Sequence, residues 1–464
     1  MNNSIKLYPV TASISLATII LFVCSSLRHW LYHSHAWDLG IFDQAIYLIS
    51  IDRYPIVSLL GFHILGDHAA IIFYPLSLFY RIYHDVHWLL LIQSVALASG
   101  GFPLYYLSLQ SGINHYRATT IVFTYLLYPL ILNKSLFDFH PEVIAIPGIL
   151  IAVFTARNNK ILLFCVSILV VLSCKAVLSL TVMSMGLWLI ICEKRTICGT
   201  IALSLGFAWF ILSTQIVIPI FLANGMGGAT SAVARYSYLG NSIFEITNNI
   251  FLKPNLVINK ILSLETLEYI FYLTIPILWG LSLKCLSPLL CAAPMLLMNI
   301  LSTVSAQRNL VHQYSLPILP FLFLAVISTV ARDQQFLKTR RNILIWSAIA
   351  FILLGKIGYL GSYFDTWDTQ QATTTAVSKI KDTGALLVTG EIAPHLTHRP
   401  IVKLAFDDAK SIDLQPFKYI LLNQKHPGWN SSTETIEKLR SRAKDSGLFD
   451  LEYQQDEVYL YVRK

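Results

Sequence analysis

Apolar runs near the length needed to cross a bilayer recur along this chain from residue 8 to residue 361. They predict spans at 8–27, 88–109, 118–133, 142–156, 161–174, 176–192, 197–222, 267–283, 285–303, 312–331 and 342–361. One further run, "AAIIFYPLSLFYRIYHD" at 69–85, is ambiguous, because it holds Pro75 and ends in Arg81, His84 and Asp85. Charge decides its role. If it does not cross and the N-terminus is cytoplasmic, the inner loops hold Lys6; Arg117; Arg157 and Lys160; Lys194 and Arg195; Lys284; and Arg332, Lys338, Arg340 and Arg341. That is the positive-inside pattern. Were it to cross, "RDQQFLKTRR" at 332–341 would land outside. The run is therefore expected at the outer interface or as a re-entrant segment, leaving about 11 spans.

After residue 361 the pattern changes. "KDTGALLVTGEIAPHL", "FKYILLNQ" and "EVYLYVRK" read as short strands. "SSTETIEKLRSRAKDSG" reads as a helix capped by Ser432 or Thr433, with Glu434 and Glu437 early and Gly447 at its end. Residues 1–364 are expected to form the transmembrane domain, with a first outer loop at 28–87, and residues 365–464 a small extracytoplasmic α/β domain.

Composition agrees with an α-helical polytopic membrane protein: of 464 residues, 55% are hydrophobic and only 13% charged. The net charge of +8 raises the question of nucleic acid. No basic block interleaved with aromatics supports it, and none is expected as a partner. Cys24, Cys165, Cys174, Cys192, Cys198, Cys285 and Cys291 lie in or beside apolar runs without a CxxC pair, and read as small buried hydrophobes. The N-terminal stretch lacks a small-x-small cleavage pattern, so an uncleaved first span is expected.

Ionisable groups near a bilayer are costly and are functional candidates by default. On this topology they gather on the outer side: Asp38 and Asp43 in "HAWDLGIFDQAIYLIS"; Asp67 and His68 in "LGDHAAI"; Asp138, His140 and Glu142 in "FDFHPE"; Lys175 in "LSCKAVLS"; Arg235 in "SAVARYSYLGNS"; Arg308, His312 and Tyr314 in "QRNLVHQYSLP". Each has a plainer reading. Asp38 can cap a helix over 39–50. Asp43 stands about 140° further round that helix, which argues against a tight carboxylate dyad. His140 ahead of Pro141 can cap the next span. Lys175 can snorkel to headgroups, and Arg308 can meet lipid phosphate non-specifically. His68 and His312 can be hydrogen-bonded structural histidines. No Walker loop, Rossmann fingerprint, HExxH or GxSxG is present, which removes support for nucleotide, zinc-protease and lipase chemistry.

"WDLGIFDQAIY", "GDHAAIIFYPLSLFYRI", "FDFHPEVIAIP", "RYSYLGNS", "HQYSLPILPFLFLA" and "APHLTHRPIV" occur in this order. From about residue 30 onward the chain resembles the DUF2079 family of predicted membrane proteins, which in turn resembles the GT-C superfamily of glycosyltransferases. The resemblance implies a GT-C-like fold with outer interfacial helices and an acidic base in the first outer loop. It also implies a polyprenyl-phosphate-linked sugar donor, a soluble C-terminal domain and inverting transfer. One departure stands out. The family's lysine at the position of Lys175 is commonly followed by acidic residues, whereas here it precedes Ala176 and Val177.

The chemistry this implies is glycosyl transfer to a glycan, lipid or protein hydroxyl at the outer face of a bacterial plasma membrane, within the cell envelope. Asp38, with Asp43 second, would take the acceptor proton. Arg308, with Lys175 and Arg235 behind, would face the phosphate leaving group. A divalent cation is left open. The main rival is a transporter or flippase of a lipid-linked or anionic solute. Such proteins usually place ionisable groups near mid-membrane and show internal repeats, and neither is found here. A third class, a non-catalytic membrane scaffold, predicts dispensable outer carboxylates.

Overall fold

The computed structural model describes residues 3–222 and 233–464. The chain forms two compact units that do not follow chain order. The first comprises residues 1–22, 65–72 and 91–357, and the second residues 23–64, 73–90 and 358–464.

The first unit is a helical bundle. Among the described residues, five helical stretches are long and apolar enough to cross a membrane: Leu7–Trp30, His87–Gln110, Thr196–Leu222, Gln313–Ala331 and Arg340–Lys379. The pair Pro254–Ile261 and Leu264–Gly280, bent by 51°, makes a sixth if it is one broken span. The expected count of about 11 is not reproduced on these criteria, because several apolar runs are broken. The run 118–133 divides into helices His115–Leu126 and Pro129–Ser135. The run 285–303, with Pro288 and Pro294, becomes two 3-10 turns and a helix at Ala293–Leu301. Proline lacks an N–H and cannot continue an α-helix without loss.

Broken helices in an apolar setting need other donors for their freed carbonyls. Tyr128 Oη donates to the carbonyl of Leu273 at 2.6 Å, three residues before Pro276, and Trp346 Nε1 donates to that of Ile275 at 2.8 Å. Asn133 Nδ2 reaches the carbonyls of Leu310 and Leu354, at 2.9 and 3.1 Å. Elsewhere packing is close. A Cβ on Gly186 would stand 2.7 Å from the carbonyl oxygen of Gly199, so helices Leu178–Ile191 and Thr196–Leu212 can approach only through glycine. Leu187, Ile191, Ile197 and Phe207 on the same helices are exposed, as a lipid-facing surface requires.

The second unit is built on a five-stranded sheet: β3 (Leu386–Val388), β4 (Val402–Leu404), β5 (Tyr419–Asn423), β6 (Phe449–Gln455) and β7 (Val458–Arg463). Strands β1 (Ile56–Val57) and β2 (Phe62–His63) form a separate small hairpin. The order is β4-β3-β5-β7-β6, with β3 parallel to β4 and β5, and β7 antiparallel to β5 and β6. Both faces are buried, which explains why "LLV", "YILLN" and "VYLYV" read as continuous apolar runs. Leu387, Ile420, Leu422, Tyr459 and Tyr461 face helix Thr433–Asp445 through Ile436, Leu439 and Ala443. Ser432 caps that helix by accepting the N–H of Thr435, and Gly447 follows its end at φ +66°.

The opposite sheet face, Leu386, Val388, Tyr419, Leu421, Val458 and Leu460, packs on Ala372 and Ala376 of helix Trp367–Lys379. Tyr32 and Ala36 from residues 28–87 join the same core. That loop also meets the edge strand, where Ser58 Oγ accepts the N–H of Val402 at 2.9 Å and Gln44 Nε2 donates to the carbonyl of Arg399 at 2.8 Å. The tail sheet therefore completes its core with loop residues, and the exposed edge of β4 is covered.

The ambiguous run 69–85 contributes one helix, Phe73–Ile82. Its 10 residues are too short to cross a bilayer. Among the cysteines, Cys192 departs from the buried reading. It is exposed, at the turn that ends helix Leu178–Ile191.

Candidate active site

The helical unit gathers most of the expected outer residues. Segment 65–72 docks on the hairpin turn 173–176 by two backbone bonds, Ile72 N–H to Ser173 at 3.0 Å and Ala176 N–H to His68 at 2.9 Å. This holds His68 beside Lys175. His68 Nε2 lies 3.3 Å from Asp67 Oδ2. Burial, and then the charges of Lys175, Arg235 and His140, hold His68 well below the usual imidazole range. It is held in the neutral form, so its contact with Asp67 is not an ion pair.

Lys175 Nζ donates to Glu142 Oε1 at 2.6 Å, with both side chains buried. Lys175 thus does not snorkel. Glu142 opens helix Glu142–Arg157, where the unpaired N–H groups favour a carboxylate. Its second oxygen, Oε2, is buried and has no partner among the described residues.

His140 does not cap this helix: the N-cap is Pro141, with no side-chain bond. His140 Nδ1 instead lies 2.8 Å from Nζ of Lys134, which also donates to the carbonyl of Asp138 at 2.5 Å and sits 4.8 Å over the ring of Phe137. His140 Nδ1 also lies 3.1 Å from the same carbonyl of Asp138. Asp138 is fully buried. Lys134 was not among the expected site residues, although a lysine at the end of an apolar run was a legible signal.

Arg235 is half-buried, with its guanidinium 5.6 Å over the ring of Tyr314. Its backbone carbonyl accepts from Thr303, whereas its guanidinium has no carboxylate or hydrogen-bond partner among the described residues. His312 stands edge-on to Phe137 at 4.7 Å. Residues 223–232 of the expected outer loop 223–266 lie outside the described residues.

Arg308, expected to face phosphate first, is differently engaged. It donates to Glu265 at 2.6 Å, to Asn299 O at 3.3 Å and to Ser302 O. Its fork is taken up inside the protein.

In the second unit, Asp38 does not cap a helix. It lies within a single π-turn, Ala36–Gly40, that opens after His35 and runs into helix Ile41–Ser50. Asp43 is fully buried and its carboxylate is saturated. Tyr80 Oη donates to Oδ1 at 2.5 Å, the Thr397 hydroxyl donates to Oδ2, and His398 Nε2 lies 3.0 Å from Oδ2. Tyr47 stacks on His398 at 4.6 Å. Burial opposes a charge on His398, but the charge and hydrogen bond of Asp43, together with the charge of Asp85, raise the imidazole above its usual range. Thr397, His398 and Tyr80 were also not expected, since only folding brings them to Asp43.

Among the described residues, no group of three or more His, Cys, Asp or Glu side chains has the arrangement to hold a metal ion.

A family model described as "Predicted membrane protein (DUF2079)" matches residues 28–460. The chain belongs to this family. No curated protein matches it. Two solved structures of ArnT, a GT-C glycosyltransferase, from Cupriavidus metallidurans are similar. The apo structure has a TM-score of 0.52 at 11% identity, covering 96% of this chain and 97% of that one. The structure bound to undecaprenyl phosphate has a TM-score of 0.49 at 9% identity, covering 97% and 98%. At such identity the likeness is one of fold: this is an integral membrane protein with a GT-C-like fold.

Proposed function

We propose that this protein is a membrane glycosyltransferase that moves a sugar from a polyprenyl-phosphate donor to an acceptor hydroxyl at the outer face of a bacterial plasma membrane. The observation that carries the reading is the cationic group in the helical unit. Lys134, Lys175 and Arg235 share an apolar bundle with two imidazoles, and Arg235 offers an unpaired fork. A phosphate leaving group gains charge as its bond to the sugar breaks, and such donors stabilise it most where water is scarce. Arg235 replaces Arg308 as the first choice for that contact, with Lys175 beside it. Glu142 Oε2 remains to accept a hydroxyl or a water.

In the reaction, the acceptor oxygen attacks the anomeric carbon and its proton passes to a carboxylate. The bond from that carbon to the phosphate oxygen breaks, and its electron pair leaves on the phosphate. A single displacement inverts the anomeric centre. Asp38 is assigned as the base on the family resemblance, and Asp43 is assigned a structural part because its oxygens are filled.

The test is transfer from radiolabelled polyprenyl-phosphate sugars by the purified protein. Asp38→Asn keeps the size of the side chain but cannot take a proton, so turnover should fall by roughly 10²–10⁴-fold. Near-normal turnover in a folded Asp38→Asn variant would move the base elsewhere. Binding of the lipid-linked sugar with its movement across the bilayer, but no transfer to any acceptor, would favour a flippase.

A further inference from the structure

Helix Glu142–Arg157 has 16 residues and so runs about 24 Å from the Glu142–Lys175 pair to the opposite end of the bundle. There Arg157 bonds Glu193 at 2.8 Å and Ser111 at 3.4 Å. Ser111 lies in the turn that leads into helix His115–Leu126. Beside it is a cavity of about 60 Å³ whose lining includes Tyr116, Arg117, Trp279, Gln335, Lys338 and Arg340. That volume holds several waters, and so a phosphate group.

The cations there outnumber their counter-ions. Arg117 and Lys338 both pair with Asp333, at 3.2 and 3.1 Å. Arg340 has no carboxylate among the described residues and lies 4.7 and 5.3 Å over the rings of Tyr116 and Phe123. Arg340 also opens helix Arg340–Leu354, where Thr339 satisfies the N–H of Asn342. The other first-turn amides keep the positive end of the helix uncovered. Two buried polar atoms on the lining have no partner among the described residues: the donor Trp279 Nε1 and the acceptor Gln335 Oε1. Orphaned polar atoms are costly in an apolar interior, and both would be satisfied by one bound polar molecule. On the lining itself Tyr116 is 60% exposed, and Phe336, next in the chain to Gln335, is 56% exposed, which leaves apolar surface beside the charged residues.

We propose that this cavity binds the phosphate headgroup of an anionic membrane phospholipid. The Arg340 fork and Lys338 contact the phosphodiester, and the indole N–H of Trp279 donates to one of its oxygens. A hydroxyl of the headgroup donates to Gln335 Oε1, and the acyl chains lie along the exposed apolar surface. A basic pocket between spanning helices is suited to this class of ligand. The site is independent of the transferase reading, because none of its residues belongs to the phosphate-facing group at the other end.

The test uses the full chain in neutral detergent, titrated with dihexanoyl phosphatidylglycerol, dihexanoyl phosphatidylcholine and inorganic phosphate, and read by native mass spectrometry and thermal shift. Phosphatidylglycerol should bind at least about tenfold more tightly than phosphatidylcholine, and Arg340→Gln should weaken it by on the order of tenfold. Lys338→Gln, at an exposed side chain, gives a second reading should Arg340→Gln fail to fold. Arg332→Gln, on the same loop but outside the lining, should leave binding unchanged. Equal binding of the two lipids, or wild-type affinity in both Arg340→Gln and Lys338→Gln, would overturn the proposal. Inorganic phosphate binding as tightly as the anionic lipid would overturn the lipid assignment.

Discussion

Two buried carboxylates, one in each compact unit, meet cations at nearly the same range and in opposite states of completion. Glu142 gives one oxygen to Lys175 at 2.6 Å and keeps the other without a partner. Asp43 gives both oxygens away, to Tyr80, Thr397 and His398. A buried carboxylate with every lone pair engaged is part of the scaffold. One with a spare oxygen, beside further cations, is poised for something the protein alone does not supply. Sequence reading ranked the two the other way, with Asp43 as a catalytic candidate and Glu142 among the binding groups.

The largest test of this contrast removes one partner of the membrane pair. Lys175→Met leaves Glu142 charged and buried, and should destabilise the protein by about 3–5 kcal/mol. The double variant Glu142→Gln/Lys175→Met should recover most of that loss, because no charge is then stranded. Thermal melts in detergent measure both. An unchanged melting temperature for Lys175→Met would mean that water reaches the pair, and the contrast would collapse.

Next in size is the saturated carboxylate. Asp43→Ala removes the acceptor for three donors, and should cost roughly 2–3 kcal/mol. The loss should appear as proteolytic cleavage near residues 396–402, where Thr397 and His398 are released. A variant of unchanged protease resistance would show that the loop and the tail sheet hold without this clamp.

A smaller effect separates the two arginines. Arg235→Ala should weaken donor binding by about tenfold while leaving the melting temperature nearly unchanged. Arg308→Ala should do the reverse, since it takes the donor from the carbonyls of Asn299 and Ser302 inside the protein. Donor affinity that falls more for Arg308→Ala at constant stability would restore the sequence-based ranking.

The smallest effect is a pH dependence of the second unit. His398 is raised above 6.5 in the folded state, so its stabilisation is complete below that value and is lost as pH rises through the folded pKa. His395 is pushed down to about 4 by burial, so between about 4 and 6.5 the unfolded chain takes up a proton that the folded one refuses, and stability falls as pH falls. Protease resistance of the tail should therefore peak near pH 6.5, the upper end of this range. His398→Gln should flatten the alkaline side only. Loss of the acid side in that variant would reassign the titration.

Much of the architecture was legible because membranes and sheets impose strong periodicities. The recurrence of apolar runs and the short helix beside Pro75 follow from the cost of burying charge and polar backbone in lipid. Ser432 as a cap, and three of the five strands of the tail sheet, follow from local turn chemistry and apolar runs. Strands β4 and β6 were missed because their residues alternate with exposed polar ones over short lengths, as in Val402, Lys403 and Leu404. The breaks at Pro129 and Pro288 were visible as residues. Their consequence depended on donors such as Tyr128, which lies 145 residues from the carbonyl it serves.

What the sequence alone determined is the class of molecule and the inventory of costly side chains. A carboxylate or lysine beside an apolar run declares itself by its transfer cost, whatever the fold. Which of these side chains are satisfied is a different matter. It depends on partners 33 residues away for Glu142 and 354 for Asp43, and on whether their hydrogen-bonding atoms arrive at 3 Å or not at all. The hydrogen bond is short and directional, so only the tertiary structure could decide that Asp43 is closed, that Arg308 is engaged, and that Arg235 and Glu142 still have bonds to make.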